Sequence, residues 1–252
     1  MAKKPAQGDV FAALGTDELI LYGEIGWDVR AADVVVQLTT LTAPVLNVRL
    51  NSYGGDVFEG LAIANALKAH AGTVVVHVDG LAGSIASIIA LAGTDCRMAQ
   101  NAFLMIHNAI GFTYGNADDH REMADLLDKV TDASLAQVYI EATGCTPEQC
   151  KQWMDAETWF TADEALAAGF IDAIDDGQPS ARAAALTARF DLTKYTHVPA
   201  PLAARSRLAA VATPKPPVAV MPPIPAPVAV PPKETRSMDE QEKAVAAKAV
   251  TA

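Results

Sequence analysis

The chain has 252 residues, 51% of them apolar, and a formal net charge of −11 from 19 Lys and Arg against 30 Asp and Glu. That length allows one large domain or two small ones with a full core. The acidic balance, with a pI near 4.8, argues against nucleic acid as a partner, because such binders carry a basic patch.

Met1-Ala2-Lys3-Lys4-Pro5 opens with positive charge, but no long apolar region follows it. Nothing approaches the ~18 apolar residues of a membrane span, so the reading is a soluble, unexported, cytoplasmic protein with no membrane partner. Cys96, Cys145 and Cys150 have no metal spacing such as C-x-x-C, and an odd count suits reduced thiols. No metal and no cofactor are expected.

Residues 1–17 are small and polar and read as a frayed terminus. A strand is predicted from Leu19 to Ile25, a helix from about Arg30 to Leu41, and a strand over Val45 to Leu50. Phe58, Leu61, Ala62, Asn65 and Ala66 follow at helical spacing. A strand over 73–78, an apolar helix from Ile85 to Leu91 and a short strand over 103–106 come next. Strands alternating with helices indicate right-handed crossovers and a largely parallel sheet, an α/β fold.

A Gly-containing polar stretch, Gly111 to Gly115, leads into a long helix predicted from Asn116 to about Ala142. Met123, Leu126, Leu127, Val130, Val138 and Tyr139 form its apolar stripe, and Gly144 stops it. Thr146-Pro147 opens another helix, and Thr161-Ala162-Asp163-Glu164 has the form of a capping box. A last strand is expected over Phe170 to Ile174. The folded domain is placed at 18–177. Beyond it, 178–252 reads as an Ala- and Pro-rich linker, with most prolines in 213–233, ending in a short helical segment.

Three polar points fall at strand ends, where open α/β folds keep their sites. Gly83-Ser84-Ile85 puts a serine at a strand-to-helix turn, with helix N–H groups behind it. Asn51-Ser52-Tyr53-Gly54-Gly55-Asp56 is a second strand-to-helix turn, whose Gly-Gly allows close backbone approach. His107 ends the run Phe103-Leu104-Met105-Ile106. A serine hydroxyl needs a base that is neutral near pH 7, which histidine supplies. His70, His77, His120 and His197 have poorer settings: a helix end, a strand interior, the charged start of the long helix, and the tail.

These blocks, with Gly83-Ser84-Ile85-Ala86-Ser87, Met105-Ile106-His107-Asn108 and the run from Glu157 to Ala165, resemble the ordered signatures of the Clp protease proteolytic subunit over about 19–175. They are most similar to its phage-encoded relatives that mature capsids. The resemblance implies a spiral of βαβ units, of the kind shared with crotonases, with a protruding long helix. It implies Ser84 as nucleophile, His107 as base, and backbone N–H groups of Gly55 and Ile85 as the oxyanion hole. Aligned without gaps, Glu157 falls where the family carries aspartate. It is favoured as third member, with Asp155 as its rival. Tyr53 replaces a usual proline, and Gly83 stands where alanine is frequent.

The same resemblance implies a homo-oligomeric ring, of about seven subunits or a pair of such rings, joined through the long helix. Its substrates would be capsid or scaffold proteins, and the tail would tether the protease near them. An ATPase partner is the requirement of the alternative, general turnover; no G-x-x-x-x-G-K-[ST] occurs in this chain. A conventional α/β-hydrolase fails, because Ala82 and Ala86 stand where G-x-S-x-G needs glycines. A crotonase-type acyl-CoA enzyme and a capsid scaffold protein are the rivals of other classes.

Overall fold

The computed structural model describes residues 17–175, 192–200 and 202. Five strands form a parallel path: β1 (Glu18–Tyr22), β2 (Val45–Ser52), β3 (Thr73–Gly83), β4 (Asp95–Ala99) and β7 (Ala173–Asp175), in the order β1-β2-β3-β4-β7. Helices α1 (Ala31–Leu38), α2 (Val57–Lys68) and α3 (Ile85–Ala90) are the crossovers between the first four. This is the α/β spiral expected.

The long strand β3 changes partner midway. Val75 to Val78 pair with β4, whereas Leu81 to Gly83 pair in parallel with β5 (Phe103–Ile106). Strand β6 (Thr158–Thr161) then closes on β5 in the antiparallel sense. The far end of β3 therefore keeps β2 on one edge, at Ala82, and takes β5 and then β6 on the other, with Ser84 directly after it.

Several elements differ from their sequence expectations. Strand β1 ends at Tyr22, because Gly23 at φ 116° turns the chain. Ile25 instead makes isolated bridges to Val29 and Gly55. Helix α2 buries Gly60, Ile63, Ala64 and Leu67, not the face of Phe58 and Ala62; Phe58 is 63% exposed. The small Gly60 decides this, since a Cβ there would collide with Ile85 of α3. Strand β7 starts at Ala173, and Phe170 packs instead among Tyr139, Trp153 and Phe160.

The long helix is three pieces in one line: α4 (Ala117–Val130), a π-helical turn over Thr131–Leu135, and α5 (Ala136–Thr143). Asn116 caps it with a capping box to Asp119, and Gly144 ends it at φ 70°. No residue of α4 is buried, whereas α5 buries Tyr139, which hydrogen-bonds Ser87 at 2.8 Å. Helix α6 (Pro147–Asp155) and helix α7 (Ala162–Ala167) carry the Thr146 and Thr161 caps anticipated from sequence.

Packed residues are also described beyond the expected boundary at 177. Leu192, Tyr195 and Leu202 are buried in one apolar cluster with Tyr53, Leu81 and Met105. Two leucines and an aromatic ring within an otherwise small, polar segment give residues 192–200 and 202 surface to bury. The predicted terminal linker and helix of 213–252 lie outside the described residues.

Candidate active site

Strand pairing brings the site together. Gly83 lies opposite Met105, and the Ser84 amide donates to the Met105 carbonyl at 2.8 Å. The next residues on these neighbouring strand ends are Ser84 and His107. Ser84 Oγ and His107 Nε2 are 2.7 Å apart, a hydrogen bond. On the other side of β5, Ile106 pairs with Thr158, so His107 and Glu157 are the next residues across that antiparallel register.

Ser84 adopts φ 56°, ψ −129°. Among the described residues it shares positive φ without being glycine with one other, Glu157 at φ 49°. Such conformations cost about 1–3 kcal/mol each and cluster at functional sites, where surrounding structure enforces them. Gly54, at φ 102°, explains how the chain tolerates the tight turn: a Cβ there would stand 2.7 Å from Ser84 Cβ. Gly55, at φ 150°, packs so closely under Ile25 that any Cβ would strike its carbonyl. Gly54 thus lays bare backbone against the serine, and Gly55 against Ile25. Ile85 opens α3 directly after Ser84.

His107 is buried, and burial lowers its pKa from the usual histidine range to about 4. The Glu157 carboxylate opposes that shift, and the Lys194 ammonium adds to it. The ring is therefore neutral at pH 7, as a proton acceptor must be.

Among the described residues no hydrogen bond joins His107 to Glu157 or Asp155. Asp155, the last residue of α6, accepts from Asn108 Nδ2 at 2.9 Å and Lys151 Nζ at 3.1 Å on the exposed rim. Glu157 accepts from the Thr196 amide at 2.9 Å, the His197 amide at 2.7 Å and Trp159 Nε1 at 3.3 Å. Of the two carboxylates, it is Glu157 that acts on the charge of His107.

Sequence reasoning missed the residues that cover this site. Tyr195 stands edge-on to His107, with ring centroids 5.3 Å apart, and its hydroxyl donates to the Tyr53 carbonyl. The usable signal was an aromatic residue amid Ala- and Pro-rich sequence. Cys96 and Cys150 offer no rival nucleophile: burial pushes the Cys96 thiol up to about 12 and that of Cys150 to about 11. Among the described residues no three His, Cys, Asp or Glu gather as a metal-binding group, and no helix is long and apolar enough to cross a membrane.

The family model for Clp protease matches residues 3–178. The ATP-dependent Clp protease proteolytic subunit 1 of Leifsonia xyli subsp. xyli is 32% identical over 180 residues, covering 69% of this chain and 91% of its own length. The corresponding subunit 1 of Chlamydia muridarum is 35% identical over 143 residues, covering 55% and 73%. A solved structure of a ClpP1 mutant from Listeria monocytogenes superposes with a TM-score of 0.58 at 27% identity, over 65% of this chain and 93% of that one. With that family model spanning most of its length, the chain belongs to the Clp protease family and is a serine-type endopeptidase.

Proposed function

We propose that Ser84, His107 and Glu157 are the catalytic triad of this peptidase, and that its substrates are capsid or scaffold proteins cut during phage head maturation. The observation that carries the chemistry is the 2.7 Å contact between Ser84 Oγ and His107 Nε2 at a strained strand-to-helix turn. Ser84 Oγ attacks the scissile carbonyl while His107 Nε2 takes its proton. The oxyanion forms against the backbone N–H groups of Gly55 and Ile85. His107 then gives the proton to the leaving amine, the C–N bond breaks, and an acyl ester remains on Ser84. Water, deprotonated by the same imidazole, hydrolyses that ester and restores the serine. Glu157 stabilises the transient imidazolium; its register opposite His107 supports it over Asp155.

The proposed substrate class rests on the tail. A sequence rich in Pro and Ala beyond 178 suits a tether that holds the protease among its substrates and raises their effective concentration. Co-expression of the full chain with a candidate capsid or scaffold protein tests this by mass spectrometry. Shortening of the tail or the partner with wild type, and of neither with Ser84→Ala, supports maturation; an uncut partner and an intact chain exclude it. General turnover is the second reading. It is favoured by relatives named as ATP-dependent proteolytic subunits, and it requires a separate ATPase because this chain has no P-loop. Assembly into rings, as the family forms, is proposed for either role.

A further inference from the structure

We propose that the segment of residues 192–200 and Leu202 is an autoinhibitory strap that closes the active site over its own nucleophile. The inference rests on the reading of Ser84 and His107 as the reacting pair. Its ground is the place each strap residue takes. The Tyr195 ring lies against His107 on one side and against Trp159 on another, at 5.3 and 5.9 Å between centroids. Its hydroxyl donates to the carbonyl of Tyr53, the residue immediately before the Gly54-Gly55 turn, whose Gly54 packs against Ser84. A substrate carbonyl approaching Ser84 Oγ has to pass between that turn and the imidazole, and the phenol fills this approach.

The strap also acts on the other two members. Two successive strap amides, of Thr196 and His197, hold the Glu157 carboxylate at 2.9 and 2.7 Å, and the carboxylate makes no hydrogen bond to His107. Lys194 Nζ sits 4.7 Å from the Tyr53 ring centroid and 5.3 Å from that of Tyr195. Its positive charge disfavours the imidazolium that catalysis must form. Leu192 and Leu202 anchor the two ends in the apolar cluster with Leu81 and Met105. The turn beside the nucleophile, the base and the acid are each engaged by one short run of chain, so strap and substrate exclude one another. Activity then scales with the fraction of molecules whose strap is open.

The test measures the rate at which a fluorophosphonate probe labels Ser84 in the full-length protein, mapped by peptide mass spectrometry. Tyr195→Ala removes the cap, and Leu192→Asp releases an anchor in the apolar cluster. Both should be labelled about tenfold faster than wild type, or more. A synthetic peptide of residues 192–202 should slow the variants back toward the wild-type rate. Equal or slower labelling of whichever variant retains a cooperative thermal melt overturns the strap; slower labelling would make the segment a support for Glu157 instead. If neither melts cooperatively, the peptide decides on wild type: slower labelling supports the strap and an unchanged rate rejects it. Absence of label on Ser84 in every protein refutes the nucleophile itself, and the strap falls with it.

Discussion

Tyr195 and His107 meet edge to face, their planes 84° apart, although 88 positions separate them in sequence. The contact joins a segment outside the Clp-like blocks to the base at their centre. It also makes the site dry, and a dry imidazole resists protonation. The acidity of His107 therefore reports the state of the site.

The acid limb of kcat/KM should accordingly lie near pH 4, below which His107 is protonated and cannot accept from Ser84. Lys194 lowers this pKa, so Lys194→Met should move the limb to higher pH. Glu157 raises it, so Glu157→Gln should move the limb lower. A pH–rate profile of the three proteins checks the opposite signs; a shared direction would break the electrostatic account.

The third member can be assigned by kinetics. Glu157→Gln should lower kcat by tens of fold or more, whereas Asp155→Asn, which disturbs only the rim contacts to Asn108 and Lys151, should stay within about threefold of wild type. Equal small losses would indicate a Ser-His dyad.

Gly54→Ala should cost about a hundredfold in kcat, since a Cβ 2.7 Å from Ser84 Cβ displaces the hydroxyl from its contact with His107. Steady-state kinetics beside a thermal melt separates that displacement from unfolding.

Away from the site, Arg49 and Asp79 form a buried ion pair, with Arg49 Nε 3.0 Å from Asp79 Oδ2 and Tyr22 also donating to the carboxylate. Arg49→Ala strands that carboxylate and should cost about 3 kcal/mol in denaturant unfolding. A loss below about 1 kcal/mol would mean that water already reaches the pair.

Much of the site was legible because its parts sit at fixed offsets from strands and turns. Ser84 after a β-rich run, the Gly54-Gly55 turn and His107 at a strand end each have a local signature. The partner switch of β3 was not legible, because its extension through Gly80 carries no pattern that separates one neighbour from two. The sequence reading assigns no residues to β4, whose alternation from Asp95 to Ala99 is only five residues long. The buried face of α2 was misread because a glycine, which carries no hydropathy signal, sets it. The segment around Tyr195 was hidden by composition: its role depends on contacts with Tyr53, Leu81 and Met105, far away in sequence.

Helix α4 leaves Met123, Leu127 and Val130 half-buried and Leu126 exposed, a stripe suited to the same helix of another subunit. Analytical ultracentrifugation should show a multimer of the full chain, and Leu126→Asp should shift it to a smaller species. A monomer with full activity would contradict ring assembly.

The most direct test of Ser84 as nucleophile is to trap the acyl-enzyme. The full-length protein is mixed with an activated peptide ester, quenched in acid during turnover, digested and mapped by mass spectrometry. The account predicts the acyl group on Ser84, none in Ser84→Ala, and at least a thousandfold loss of turnover in that variant. Turnover that persists in Ser84→Ala, or an acyl group carried by another residue, would contradict it.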